Sequence, residues 1–101
     1  MAKGTLGILI TRYEHLDHIA GIVRAARAAG HPVMLFLNDE GVRFTTDPRF
    51  LELAALEGVR NAVCDYNCEQ LGLGERTPGI NYGSQYDHAQ MLHESERVVV
   101  F

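Results

Sequence analysis

Val59-Arg60-Asn61-Ala62-Val63-Cys64-Asp65-Tyr66-Asn67-Cys68-Glu69-Gln70-Leu71-Gly72 reads as a short apolar strand that runs into a cysteine. An aspartate able to cap a helix follows, then a second cysteine one helical turn later, then a glycine stop. A thiol therefore falls where strand becomes helix. In an open parallel α/β sheet the carboxyl ends of the strands face the ligand crevice, so Cys64 is expected at that working edge and not in the core.

Working outward, the same strand-then-helix pattern recurs along the chain. Thr5 to Ile10 and Val33 to Leu37 are near-continuous apolar runs, as expected of strands buried on both faces. Between them Asp17 is expected to cap a helix whose Ile19, Ile22, Val23 and Ala26 follow the helical period; Gly30 and Pro32 end it. Two such strands joined by a helix form a right-handed crossover unit. Asn38 to Gly41 reads as a turn, and Val42 to Thr46 as an extended piece. Asp47-Pro48 opens a helix with the cap and a proline at the first helical position; it carries Leu51, Leu53, Ala54, Ala55 and Leu56 on its apolar stripe and runs to Gly58.

After the Cys64 stretch, Gly72 to Gly79 is a flexible loop and Ile80 to Gly83 a brief strand. Ser84-Gln85-Tyr86-Asp87 has the form of a capping box, starting a helix expected to turn Ala89, Met91 and Leu92 toward the sheet. Val98 to Phe101 is expected to be a last buried strand. The alternation, free of internal repeats and low-complexity tracts, argues for a single domain over residues 1–101. Its expected form is a small three-layer α/β/α fold around a mostly parallel sheet of about five strands.

Composition narrows the functional classes. At 101 residues and 47% hydrophobic content the chain fills one core, and a parallel sheet of this size leaves apolar surface for other subunits, so oligomerisation is expected. A net charge of −4 with scattered Lys and Arg argues against nucleic acid and against an anionic membrane surface as partners. The apolar run Leu6 to Ile10 is too short for a signal peptide or a membrane span, and a cytoplasmic setting is expected. In that compartment two cysteines four apart are expected to be reduced thiols.

Several candidate chemistries compete for the titratable residues. Cys64 is the candidate nucleophile, with helix-start N–H groups favouring its thiolate and the Asp65 carboxylate opposing it. Cys68 is a secondary candidate, expected on or near the same helical face as Cys64. Cys64, Cys68, His88 and His93 are all of metal-ligand type, but His93 falls about 140° around a helix from His88, which weakens a zinc site. His15 and His18 are candidates to share the rim of Cys64. Gly72, Gly74 and Gly79 make no phosphate-binding pattern and follow a helix, so no cofactor is called for. Tyr66, Tyr82 and Tyr86 read as a subunit contact. No Ser-His-Asp or paired-carboxylate arrangement supports a hydrolase.

Taken together, the opening strand, Ala29-Gly30-His31-Pro32-Val33-Met34-Leu35-Phe36, the Asp39-Glu40-Gly41-Val42 turn, Leu56-Glu57-Gly58-Val59, Cys64 before Gly72 and the ending Glu96 to Phe101 resemble the DsrE/TusD-like sulfur-relay family. The likeness runs over nearly the whole chain. It implies a DsrE-like fold, a persulfide held on Cys64, assembly as trimers or hexamers or with related subunits, and sulfur donor and acceptor proteins as partners. The family's paired cysteines more often stand three apart, whereas Cys68 follows Cys64 by four. The alternatives are a non-catalytic subunit or small-ligand binding module of the same fold, and a zinc-binding module.

Overall fold

The computed structural model describes residues 3–101. In chain order its elements are β1 (Thr5–Ile10), α1 (Leu16–Ala28), β2 (Val33–Leu37), a 3-10 segment (Asp39–Thr46), α2 (Pro48–Ala54), β3 (Val59–Cys64), α3 (Asp65–Gln70), β4 (Tyr82–Gly83), α4 (Gln85–Glu94) and β5 (Ser95–Val100). The strands form one five-stranded sheet in the order β4-β3-β2-β1-β5. Every pairing is parallel. The α/β fold expected from the sequence is present, and its sheet is wholly parallel.

Side-chain alternation divides the strands between two cores. Ile8, Ile10, Val33, Leu35, Leu37 and Val63 point to the side covered by α1, α2 and the 3-10 segment, where they meet Ile19, Val23, Val42, Phe44, Phe50 and Leu53. The opposite side is covered by α4, and its buried cluster consists of Phe36, Ala62, Cys64 and Met91, with Leu9 and Met34 partly buried beside it. Because β2 lies mid-sheet it is apolar on both sides, which is why Val33 to Leu37 shows no polar alternation.

The local signals mostly act as their chemistry dictates. Asp47 caps α2, accepting from the Arg49 N–H at 3.0 Å, with Pro48 at the first helical position. Tyr13 Oη also donates to Asp47 Oδ2 at 3.2 Å, which ties β1's exit loop to α2. Hydrogen bonds from Arg49 hold the Asp47 carboxyl below its ordinary value, against a smaller opposing effect of burial. The Ser84 capping box forms, with Ser84 accepting from Tyr86 N–H and Asp87 accepting from Ser84 N–H.

Five expectations need correction. Val42 to Thr46 is not extended: it is the buried second half of the 3-10 segment, pinned where Gly41 lies against the Ile10 carbonyl so closely that a Cβ would strike it. The α1 cap is His15 in the left-handed conformation (φ 64°), so Asp17 lies inside the first turn. Asp65 is likewise the first residue of α3, and Cys64 holds the cap position. On α4 only Met91 is buried, while Ala89 and Leu92 face outward. Finally, β5 is an edge strand with Val98 and Val100 exposed, so the terminal Val run is not the buried strand expected.

Candidate functional site

The carboxyl ends of β2 and β3 and the turn from β4 into α4 meet around a cleft of about 510 Å³, lined by Asn38, Asp39, Cys64, Tyr66, Asn67, Ser84 and their neighbours. Cys64 is placed there by its strand. It is the last residue of β3, paired with Gly83 of β4, and its backbone stays extended (φ −74°, ψ 105°) as it hands over to α3. Gly83 keeps the far wall thin, since a Cβ there would collide with the Asp87 carboxylate that caps α4. The Cys64 side chain is 6% exposed, in the wall of the cleft and on the α4 side of the sheet.

The adjoining wall comes from β2. The β2–β3 register pairs Leu37 with Val63, so the next step sets Asn38 beside Cys64. Asn38 continues in extended conformation, its N–H donates to the Ile10 carbonyl at 3.1 Å, and its own carbonyl accepts from Gly41 N–H at 2.9 Å. Asp39 then turns with a positive φ of 47°, and its N–H donates to Asn67 Oδ1 at 2.9 Å. Asn67 Nδ2 in turn donates to Gln70 Oε1, so α3 is tied across the cleft mouth to the segment after β2. Sequence reading took Asn38 as a turn residue, because an asparagine after an apolar run carries that signal whatever lies beside it in space.

Cys68 is placed differently. It is 0% exposed and packs into the core on the α1–α2 side, whereas Cys64 belongs to the α4-side cluster. The two cysteines do not share a face, because Cys64 precedes the helix and still follows the strand's pleat. Burial pushes the Cys68 thiol above its ordinary value, with smaller contributions from the Asp65 charge and from Cys64, partly offset by Arg76.

Asp65, next to Cys64 in the chain, is taken up in an ion pair. Arg76, from the loop between α3 and β4, grips both of its carboxylate oxygens at 2.7 and 2.9 Å. The same guanidinium lies 4.3 Å from the centre of the Tyr82 ring, and Tyr82 Oη accepts from Thr77 N–H at 2.8 Å. The 72–79 loop is therefore clasped to the start of α3.

The remaining candidates lie elsewhere. His15 and His18, with ring centres 6.0 Å apart, line a separate depression with Tyr13, Phe44 and Arg49 and not the Cys64 cleft. His88 stacks on Phe36 at 5.1 Å and its Nδ1 pairs with Gln85 Oε1. Among the described residues no three His, Cys, Asp or Glu side chains converge in a way that could hold a metal ion, so Cys64, Cys68, His88 and His93 do not assemble into a zinc site. Tyr66 and Tyr86 are 67% and 71% exposed beside the cleft mouth. Among the described residues no helix is long and apolar enough to cross a membrane.

No protein-family model matches the sequence, and no curated protein matches it. The structure does match a solved one, the YchN protein of E. coli, with a TM-score of 0.75 and 16% identity over 98% of this chain and 100% of that chain. At that identity the likeness is one of fold: a five-stranded parallel sheet flanked by helices on both faces.

Proposed function

We propose that this chain is a sulfur carrier of the DsrE/TusD-like kind, holding a persulfide on Cys64. The observation that carries this reading is the position of Cys64 in the wall of a cleft at the carboxyl edge of a parallel sheet, where such folds bind ligands. Loading is a thiol exchange without net oxidation. The Cys64 thiolate attacks the outer sulfur of a donor persulfide, the donor's S–S bond breaks, and the donor leaves as a thiolate that takes up a proton. Cys64 is left with an S–S⁻ group reaching about 2 Å further into the cleft. An acceptor thiolate then attacks that terminal sulfur, and Cys64 departs as thiolate.

Donor and acceptor are proteins with exposed cysteines in this reading, and Tyr66 and Tyr86 beside the cleft offer them amphipathic contact surface. Copies of the chain are the partners for the open side of the sheet, where Val98, Val100 and Leu92 stand exposed. A second reading, a binding module without covalent chemistry, draws on the low exposure of Cys64 and on a groove of about 400 Å³ on the α4 side, floored by Met34, Phe36, Ala62 and Met91.

Intact mass of wild type, Cys64→Ser and Cys68→Ser after brief exposure to a persulfide donor, with and without reductant, separates the two. The carrier gains one reductant-labile sulfur in wild type and in Cys68→Ser but none in Cys64→Ser. Wild type that stays unmodified with its thiols reduced overturns the carrier reading and leaves the binding module.

A further inference from the structure

Among the described residues, two buried side-chain oxygens have no hydrogen-bond partner: Ser95 Oγ and Asn38 Oδ1. Ser95 lies at the start of β5 and lines no part of the cleft. Asn38 lies in its wall, next to Cys64. The β2–β3 register carried one residue beyond Leu37 and Val63 puts the two on neighbouring strands about 4.8 Å apart. Both backbones are still extended there, and Phe36 and Ala62, one pleat earlier, both point to the α4 side. The Asn38 amide and the Cys64 sulfur therefore leave the sheet side by side.

An amide oxygen shut away from water and from every donor destabilises the fold, and such groups are rare in folded proteins. A leucine has nearly the same shape without that cost. With the oxygen turned inward, the Nδ2–H groups are the part of the Asn38 amide left to face the cleft.

The cleft wall offers a negative charge no side-chain cation. Among the described residues no Lys, Arg or His lines it, and Asp39 does. Asn67 is committed to Asp39 N–H and to Gln70, Ser84 Oγ accepts from Tyr86 N–H and Gln85 Oε1 pairs with His88, which leaves the Ser84 O–H and the Gln85 Nε2–H groups as the other side-chain donors on the wall. Asn38 is the one side-chain amide in the wall with no partner among the described residues, and it adjoins the thiol.

We propose that Asn38 binds the sulfur anion at position 64, its side-chain amide donating N–H hydrogen bonds to the Cys64 thiolate and, in the loaded protein, to the terminal sulfur of the persulfide. The persulfide half of this inference rests on the carrier reading; the thiolate half does not.

The test compares wild type, Asn38→Leu and Asn38→Asp by three readouts. These are the rate of Cys64 alkylation by iodoacetamide at fixed pH, the fraction of Cys64 loaded in equilibrium with limiting glutathione persulfide, and the thermal midpoint Tm. Asn38→Ala repeats the comparison without added bulk. A hydrogen bond to a charged group corresponds to a change of about tenfold, so Asn38→Leu is expected to slow alkylation and to weaken loading by about that factor, at unchanged or raised Tm. Asn38→Asp, which sets a carboxylate against the sulfur anion, is expected to lower both further. Variants that alkylate and load like wild type, or that lose both only in step with a falling Tm, overturn the inference. If wild type takes no sulfur yet Asn38→Leu still slows alkylation, the carrier reading fails and the thiolate role of Asn38 stands. If wild type loads and all variants match it, the carrier reading stands and the role of Asn38 falls.

Discussion

The side of the sheet under α1, α2 and the 3-10 segment and the side under α4 bury very different amounts of the chain. Among the described residues, the first holds fifteen buried ones from strands, helices and the 3-10 segment in one cluster. The second holds four, one of which is Cys64. Both sides use the same strands, so the difference comes from what covers them: α1, α2, α3 and the 3-10 segment on one side and the single ten-residue helix α4 on the other. Folding free energy is thus concentrated on one side, while the cysteine, the cleft and the exposed valines of β5 lie on the other. The cleft lies where covering it would have contributed stability, and the thicker core offsets that loss.

The widest gap should appear in truncations to alanine. Phe50→Ala, in the thick core, is expected to lower unfolding free energy by about 3–5 kcal/mol, and Met91→Ala, beneath α4, by about 2 kcal/mol because the site can relax toward the groove beside it. Urea denaturation measures both, and equal losses would break the asymmetry.

The cysteines give the next contrast. Cys68→Ser places a hydroxyl in an apolar core and is expected to cost about 1–3 kcal/mol, whereas Cys64→Ser, in the wall of a cleft lined by polar side chains, is expected to cost less. The same denaturation experiment ranks them, and a larger loss for Cys64→Ser would show that the cleft wall is the drier site.

Asp47 sharpens the contrast through pH. Its lowered folded value means that its contribution is fully present above the ordinary carboxylate value of 3.8 and is lost as pH falls through the lower folded value. Asp47→Ala should cost about 1 kcal/mol near neutral pH, with the gap to wild type narrowing below about pH 4. A gap constant down to strong acid would mean that the cap acts without its charge.

The smallest effect on stability is expected on β5. Val98→Lys and Val100→Lys should leave denaturation of the isolated chain within about 0.5 kcal/mol of wild type while reducing self-association in sedimentation. Unchanged association would remove the open side as the contact between copies.

The parts of the fold legible in the sequence are those fixed by neighbours in the chain. Strands β1 to β3, the Asp47-Pro48 start and the Ser84 capping box all follow from side chains acting within a few residues. The misreadings share another cause. Val42 to Thr46 has strand-like residues, but the close approach of Gly41 to the Ile10 carbonyl winds it into the 3-10 segment. The terminal valines look like a buried strand, and only the strand order shows that β5 has one neighbour. The strand-end position of Cys64 is legible because its signal is local, whereas the place of Asn38 in the same cleft wall depends on the register between two strands separated by a helix.

The packing of Cys64 and Cys68 into different cores also sets a timescale. A persulfide with a second thiol in reach discharges itself: that thiol attacks the inner sulfur, a disulfide closes and hydrosulfide is lost. Closing a disulfide here would require Cβ atoms about 3.8 Å apart, and the two side chains are packed into separate cores. A sulfur atom loaded on this chain would have no internal route of escape, and its lifetime would be set by the concentration of the molecule that comes to collect it.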